Sequence, residues 1–190
     1  MYSPSASTFG TQTVARRNAA LFSGAETAAI ERACLGGGIP QAAEEQLQLA
    51  GMSYQRDAVA EAHLREALQL APEHPAVHIG LYRYYFYKGR LREALQVAQA
   101  CLAKSARDIG LAADWRAVQP GDAAFGSYEA VLPRFYLFSL KACAYLHMRL
   151  GEVDEGSDTL AKLQQLDPGD KLGGSVLRRV LERMGLDDDD

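Results

Sequence analysis

The chain repeats itself every 34 residues, and that period constrains its fold more than any local feature does. Laying DAVAEAHLREALQLAPEHP (Asp57 to Pro75) over GRLREALQVAQACLAKSARD (Gly89 to Asp108) sets Ala60 on Ala94, Leu64 on Ala98 and Ala67 on Cys101, each 34 residues apart. GEVDEGSDTLAKLQQLDPGD (Gly151 to Asp170) continues the pattern, with Gly151 matching Gly89, Leu160 matching Ala98 and Pro168 matching Pro72. A period of this size holds two amphipathic helices that cannot bury their apolar faces alone. Copies therefore stack into one continuous core, closed at the end by something more polar.

A small residue in mid-helix, a Gly turn, a second helix with Ala-x3-bulky-x2-Ala and then Pro together resemble the tetratricopeptide repeat (TPR) family. The resemblance implies an all-α, TPR-like array of about three helical hairpins, Gln41 to His74, Pro75 to Asp108 and Leu137 to Asp170. The copies depart from the family pattern. The first has Gln55 where Gly is usual, the second has Ala106 where Pro is usual, and the third has Gly156 and Leu163 at the small-residue positions of its second helix.

Outside the copies, Lys171 to Gly185 reads as a C-terminal capping helix, with Val176, Leu177, Val180, Leu181 and Met184 at helical spacing and Arg178, Arg179, Glu182 and Arg183 opposite. Thr11 to Phe22 and Glu26 to Leu35 read as helices, followed by Gly36-Gly37-Gly38 and Pro40. The expected organisation is an N-terminal helical arm over 1–38, disordered over 1–10, an array over 39–185 with an insertion at 109–136, and an acidic tail over 186–190. The insertion carries the sole Trp, Trp115, and a turn at Pro120-Gly121-Asp122, and Pro133 argues against an unbroken helix before it.

The run GLYRYYFYKGR, Gly80 to Arg90, holds five aromatic rings in six positions. His78, Leu81, Tyr82 and Tyr85 recur at three- and four-residue steps and are expected to point into the hairpin core. The family resemblance places Ala76, Ile79, Arg83, Phe86 and Tyr87 on the concave surface. It adds Ala42, Glu45, Leu49, Met52 and Ser53 from the first copy, and Phe138, Lys141, Tyr145, Met148 and Arg149 from the third. The expected protein-binding residues are Arg83, Phe86, Tyr87, Lys141, Tyr145, Met148 and Arg149, a surface suited to a partner segment with acidic and apolar side chains. The competing reading is that the arm or the insertion folds back and fills this groove. Carboxylate-clamp recognition is not expected, because the single Asn is Asn18 and the family's Asn positions hold Leu49 and Tyr82.

Other function classes find little in the sequence. The net charge of −4 equals the terminal run Asp187 to Asp190, which argues against nucleic acid as the partner. No signal-like start and no long apolar span are evident, since Arg134, Lys141 and Arg149 break the most apolar segment, so a soluble cytoplasmic protein is expected. Cys34, Cys101 and Cys143 lie far apart among apolar residues and read as buried free thiols. His63, His74 and His78 lack the companions of a metal site, GDKLGGSV (Gly169 to Val176) reads as a helix linker, and His147 sits in mid-helix with no nucleophile motif. Neither metal, cofactor nor enzymatic activity is expected.

The run DWRAVQPGDAAFGSYEAVLPRFYLFSLKA (Asp114 to Ala142), beside GLYRYYFYKGRL, is similar to small bacterial TPR proteins associated with nitrogen fixation. That resemblance implies an adaptor or assembly factor whose partner is a nitrogenase component or a factor that matures or protects it. The other readings are self-association through the arm (Val14, Leu21, Phe22, Ile30), or a small-molecule-binding protein or enzyme without local motifs.

Overall fold

The structure is a computed structural model that describes residues 38–127 and 129–187. The expected arm, with its helices and Cys34, and the last three residues of the tail lie outside the described residues. Among those described, the regular elements are all helical: α1 (Gln41–Met52), α2 (Asp57–Leu70), α3 (Pro75–Tyr87), α4 (Leu91–Ile109), a 3-10 turn (Trp115–Ala117), α5 (Val131–Arg149), α6 (Val153–Leu166) and α7 (Gly174–Asp187). Successive pairs form antiparallel hairpins that stack in order, α1/α2, α3/α4 and α5/α6, with α7 against α6 and α5. This is the all-α, TPR-like array that the period implies.

Each hairpin is set by local chemistry. After α3 and α5 the chain turns in the same way: Gly89 (φ 72°) and Gly151 (φ 80°) are left-handed, and the following amides of Arg90 and Glu152 donate to carbonyls five residues back, Tyr85 and His147. Only glycine takes that conformation without a Cβ penalty, so the repeated Gly encodes a repeated helix stop. Where Gln55 stands in place of Gly, the first turn uses no positive φ and spans Ser53–Arg56, closed by Arg56 N donating to Ser53 O at 2.7 Å.

The small positions of the period are where helices approach. Ala60, Ala67, Ala94 and Ala98 are essentially fully buried. The third copy's departures compensate each other. A Cβ on Gly156 would lie 2.7 Å from Met148 Cγ and 3.1 Å from the Met148 backbone nitrogen, so α6 approaches α5 there more closely than Ala permits. Leu163 is buried instead of small, and Gly174 at the start of α7 makes room for it, a Cβ there falling 3.3 Å from Leu163 Cδ2. Ala106 in place of Pro lets α4 continue to Ile109, where Gly110 (φ 73°) ends it.

From α4 the chain does not enter the next hairpin directly. It crosses as a strap over residues 110–130 that buries Val118 and Phe125. Arg116 Nη2 donates to both carboxylate oxygens of Glu155 on α6 (2.8 and 2.6 Å), Lys162 donates to the Val118 carbonyl (3.0 Å), and Lys171 donates to the Gly126 carbonyl. Pro133 falls in the first turn of α5, where no amide hydrogen is needed, so the helix begins just before it. The stretch Gly169 to Gly173 is the α6–α7 linker, and Asp170 Oδ1 accepts from Ser175 N at 3.0 Å.

Two outcomes test this packing. Gly156→Ala gains about 0.5–1 kcal/mol of helix propensity but overpacks against Met148, and the net expected effect is a destabilisation of about 1–2 kcal/mol in urea unfolding. A net gain would show that α6 is free to move off α5. His74 caps α3 by accepting from Ala76 N (3.2 Å) with Nδ1, and burial, followed by Lys104 and His78, holds its pKa below the usual imidazole value. The fold therefore favours the neutral ring, so this stability is complete above the unfolded pKa of about 6.5 and is lost as pH falls through the lowered folded value. A His74→Ser variant, which keeps a cap without titrating, is expected to flatten that part of the stability–pH profile.

Candidate protein-docking cleft

Helices α1, α3, α5 and α7 occupy the same place in successive units, and their inner faces carry the sequence-derived site. The structure does not leave that surface uniformly open. Phe86 (3% exposed), Lys141 (3%), Tyr145 (2%) and Met148 (0%) are buried, and so are Ile79, Ser53 and Phe138. Arg149 is half-buried, while Arg83 and Tyr87 are exposed.

Four of the named residues are nevertheless joined in one row. The Phe86 ring lies 5.5 Å from that of Tyr87 and 5.9 Å from that of Tyr145, and Arg149 stacks over Tyr145 while its Nη1 donates to the Tyr145 hydroxyl at 2.6 Å. This row is packing between hairpins, in which aromatic edges meet aromatic faces. Lys141 points to α7 and donates Nζ to the Leu172 carbonyl, and Met148 faces Gly156 on α6. These two do not join the row. His78 and Tyr85, expected in the core, are only half-buried, and His78 Nε2 lies 2.7 Å from the Pro72 carbonyl.

The open part of the inner face lies between the first two hairpins. A cleft of about 400 Å³ runs between α1 and α3, walled on one side by Leu47, Ala50, Gly51 and Tyr54 and on the other by Ala76, Gly80, Arg83, Tyr84 and Tyr87, with Leu64 beneath. Its walls come together at two places. Gly80 lets α1 come close, since a Cβ there would sit 3.1 Å from Leu47 Cδ2. Near the α1 C-terminus, Tyr54 meets Tyr84 edge-on at 6.0 Å, and Lys88, paired with Asp57 at 2.7 Å, lies 4.2 Å over the Tyr54 ring. Burial, then Asp57 and Glu61, pushes the Tyr84 hydroxyl up to about 12, so it remains a neutral donor toward the Asp57 carbonyl (3.4 Å).

Large apolar side chains also stand exposed on α1 and α3. Met52 is 83% exposed, Tyr87 44% and Leu49 39%, an unusual grouping for side chains that water does not favour. Of the sequence-derived concave set, then, Ala76, Arg83 and Tyr87 line the cleft, whereas Leu49 and Met52 are exposed on the other side of α1. Sequence reasoning missed Leu47, Ala50, Gly51, Gly80 and Tyr84. The signal for them was a pair of glycines within helical segments, Gly51 and Gly80, which weaken a helix unless something must approach closely.

The chemistry of the remaining clusters is structural. Cys101 and Cys143 are buried, and burial followed by Cys101 drives the Cys143 thiol far above its ordinary pKa, so it is held as an unreactive thiol. Among the described residues no group of three or more His, Cys, Asp or Glu is arranged to hold a metal ion, and no helix is long and apolar enough to cross a membrane.

Comparison with known proteins gives one informative match. The chain is 37% identical over 126 residues to the "Uncharacterized 19.8 kDa protein in nifW 5'region" of Azotobacter chroococcum mcd 1, a match that takes 66% of this chain and 71% of that protein. No protein-family model and no solved structure matches the chain.

Charge reversal separates the two kinds of site residue. Lys141→Glu puts a carboxylate in a buried place and is expected to cost about 3–5 kcal/mol of stability. Arg83→Glu, on the exposed wall, is expected to stay within about 0.5 kcal/mol of the parent. Thermal unfolding of both variants decides the matter, and equal losses would show that Arg83 is a packing residue.

Proposed function

The chain belongs to one family with the Azotobacter chroococcum protein of the nifW 5' region, and on that premise we propose that it is a non-enzymatic accessory protein of nitrogen fixation that works by binding a partner protein. The single observation that carries this reading is the relationship to a protein from a region named for a nif gene. It agrees in direction with the similarity of Asp114 to Ala142 to small bacterial TPR proteins of nitrogen fixation. The partner class is a nitrogenase component or a factor that matures or protects one, met in the cytoplasm.

The geometry supports the binding half of the proposal. A stack of helical hairpins presents extended surface, and the α1–α3 cleft, with its largely apolar lining and exposed Tyr87, is a place where another chain gains by covering apolar side chains. The row Phe86, Tyr145 and Arg149 joins α3 to α5 and so holds the α3 wall of the cleft on the rest of the array.

Mild affinity purification of the tagged chain from its native host, grown with and without fixed nitrogen, tests this. The expected result is a stoichiometric partner from the nitrogen-fixing cells only, lost in an Arg83→Glu/Tyr87→Glu variant that still folds. Capture undiminished in the variant would move the site away from the cleft. The absence of a stoichiometric partner from nitrogen-fixing cells would overturn the reading.

A further inference from the structure

The first hairpin has one side that nothing among the described residues covers. Seven large apolar side chains are exposed among those residues, and four of them, Leu49, Met52, Val59 and Leu70, belong to α1 and α2. On α1 they fall in the stripe Ala42, Glu45, Leu49 and Met52, and on α2 in the stripe Val59, Ala62, Glu66 and Leu70, spaced by three and four residues and exposed throughout. Other residues of both helices face α3 and the turn after it: Leu47 lies against Gly80, Tyr54 meets Tyr84, and Asp57 and Glu61 pair with Lys88 and Arg90. The two stripes therefore share the outer side of the hairpin, away from the cleft, where a preceding unit of a stack would sit.

The chain itself leads to this side. Gly38 is left-handed (φ 77°) and Ile39 packs on the first core, so the backbone arrives at the end of the hairpin where α1 begins and α2 finishes. Before that point stand the two stretches read as helices, 11–22 and 26–35, the content of one hairpin. Ile30, Ala33 and Cys34 precede Leu64, Ala67 and Leu68 by 34 residues, which carries the period back into 26–35, with Glu26 in the place of Ala60 as the departure. Val14, Leu21 and Phe22 share a helical face in the same way. A helix over 26–35 has the length of the stripe from Ala42 to Met52, about 15 Å, and the three glycines at 36–38 permit the reversal that lays it antiparallel to α1.

Charge separates this occupant from a second copy of the chain. The charged members of the two stripes, Glu45 and Glu66, are both acidic, and a two-fold pairing of this side with itself sets carboxylates against carboxylates. Residues 11–35 carry Arg16, Arg17 and Arg32 against Glu26 and Glu31, an excess of the opposite sign.

We propose that residues 11–35 of this chain form a helical pair that docks on the outer side of the α1/α2 hairpin, covering Leu49, Met52, Val59 and Leu70 with Ile30, Ala33, Val14 and Leu21. The arm then ends the array as an additional unit and stays out of the inner cleft. This stands apart from the partner-binding reading above.

Hydroxyl-radical footprinting of the full-length chain tests it, with a full-length Leu21→Glu/Ile30→Glu variant as the comparison. Met52 is expected to be modified about tenfold more slowly in the parent than in the variant, as a docked state favoured tenfold requires. Tyr87, in the cleft, is expected to react equally in both, and Leu64, 3% exposed, stays protected in both, which shows that the variant keeps its first hairpin. A second variant, Leu49→Gln/Met52→Gln, changes two exposed positions and is expected to speed tryptic cleavage after Arg16, Arg17 and Arg32 about tenfold, while the array stays resistant. Equal Met52 reactivity in parent and variant overturns the proposal, and so does cleavage of the arm that the second variant leaves unchanged. Protection of Tyr87 in place of Met52 overturns it by assigning the arm to the cleft. Protection of Met52 that disappears on about a hundredfold dilution overturns it in favour of a second copy.

Discussion

The structure depends on one helix being buried from every side. From Phe135 to Met148 every residue of α5 is shielded from water, fourteen in succession, including a lysine and a histidine. An ordinary surface helix hides one stripe, and a helix hidden all round needs neighbours on all sides. Here α4 and α6 supply two of them, Phe86 of α3 meets Tyr145 on another side, and the α6–α7 linker receives the Lys141 ammonium on its Leu172 carbonyl. The strap supplies the rest: Phe125 packs 5.9 Å from the Tyr136 ring, and Val118 is fully enclosed. The insertion that interrupts the repeats is thus a structural requirement of the helix that follows it. Its three cationic anchors, Arg116, Lys162 and Lys171, matter because the strap has almost no secondary structure of its own to hold it in place.

That constraint also explains which parts of the molecule were legible in the sequence. The 34-residue period could be read because it records close helix approach: Ala60, Ala67, Ala94 and Ala98 are small for a steric reason that recurs with each hairpin. The repeated Gly89 and Gly151 could be read because a left-handed residue after a helix has one preferred side chain, none. The all-round burial of α5 could not. Arg134, Lys141, His147 and Arg149 recur along it like the polar side of an amphipathic helix, and the pattern does not say that Lys141 ends on a carbonyl or that His147 ends on Glu152, 2.6 Å away. Hence the family frame, which assigns Lys141, Tyr145 and Met148 to an open surface, fails in the third hairpin, where the strap and α7 add contacts that a regular repeat lacks. In the second hairpin the frame is right for Arg83 and Tyr87, which are exposed, and wrong for Ile79 and Phe86, which pack into the larger core.

The array is also divided in its interior, and this bears on the cleft. Ala43, Ala50, Leu64, Val77 and Tyr84 belong to a core in the first hairpin and the near side of α3, while Tyr82, Phe86 and most of the apolar side chains of α5 belong to a second, larger core. Among the described residues Tyr85 and Val97 pack against both. The α2–α3 contact between hairpins is much thinner than the α4–α5 contact that follows it. Polar links reinforce the thin seam: Lys88 to Asp57, Arg90 to Glu61, and the Tyr54–Tyr84 edge contact under the Lys88 ammonium. Partly exposed ion pairs contribute little each, so the seam is the softest join between hairpins.

The α1 wall of the cleft belongs to the hairpin on the soft side of that seam, and the α3 wall belongs to the hairpin locked to α5. A small rotation of the first hairpin therefore changes the width of the groove without disturbing the larger core, because the Gly80–Leu47 contact acts as a pivot with no side chain on the α3 side to obstruct it. Such compliance has a cost and a use. The free protein spends little interaction energy fixing the groove, so a partner must supply the ordering itself and binds less tightly for the area covered. In return, the groove accepts apolar side chains of unequal size. Selectivity then rests on the wall that does not move. Arg83 and Tyr87 are carried by α3, the helix that Phe86 joins to Tyr145 of α5.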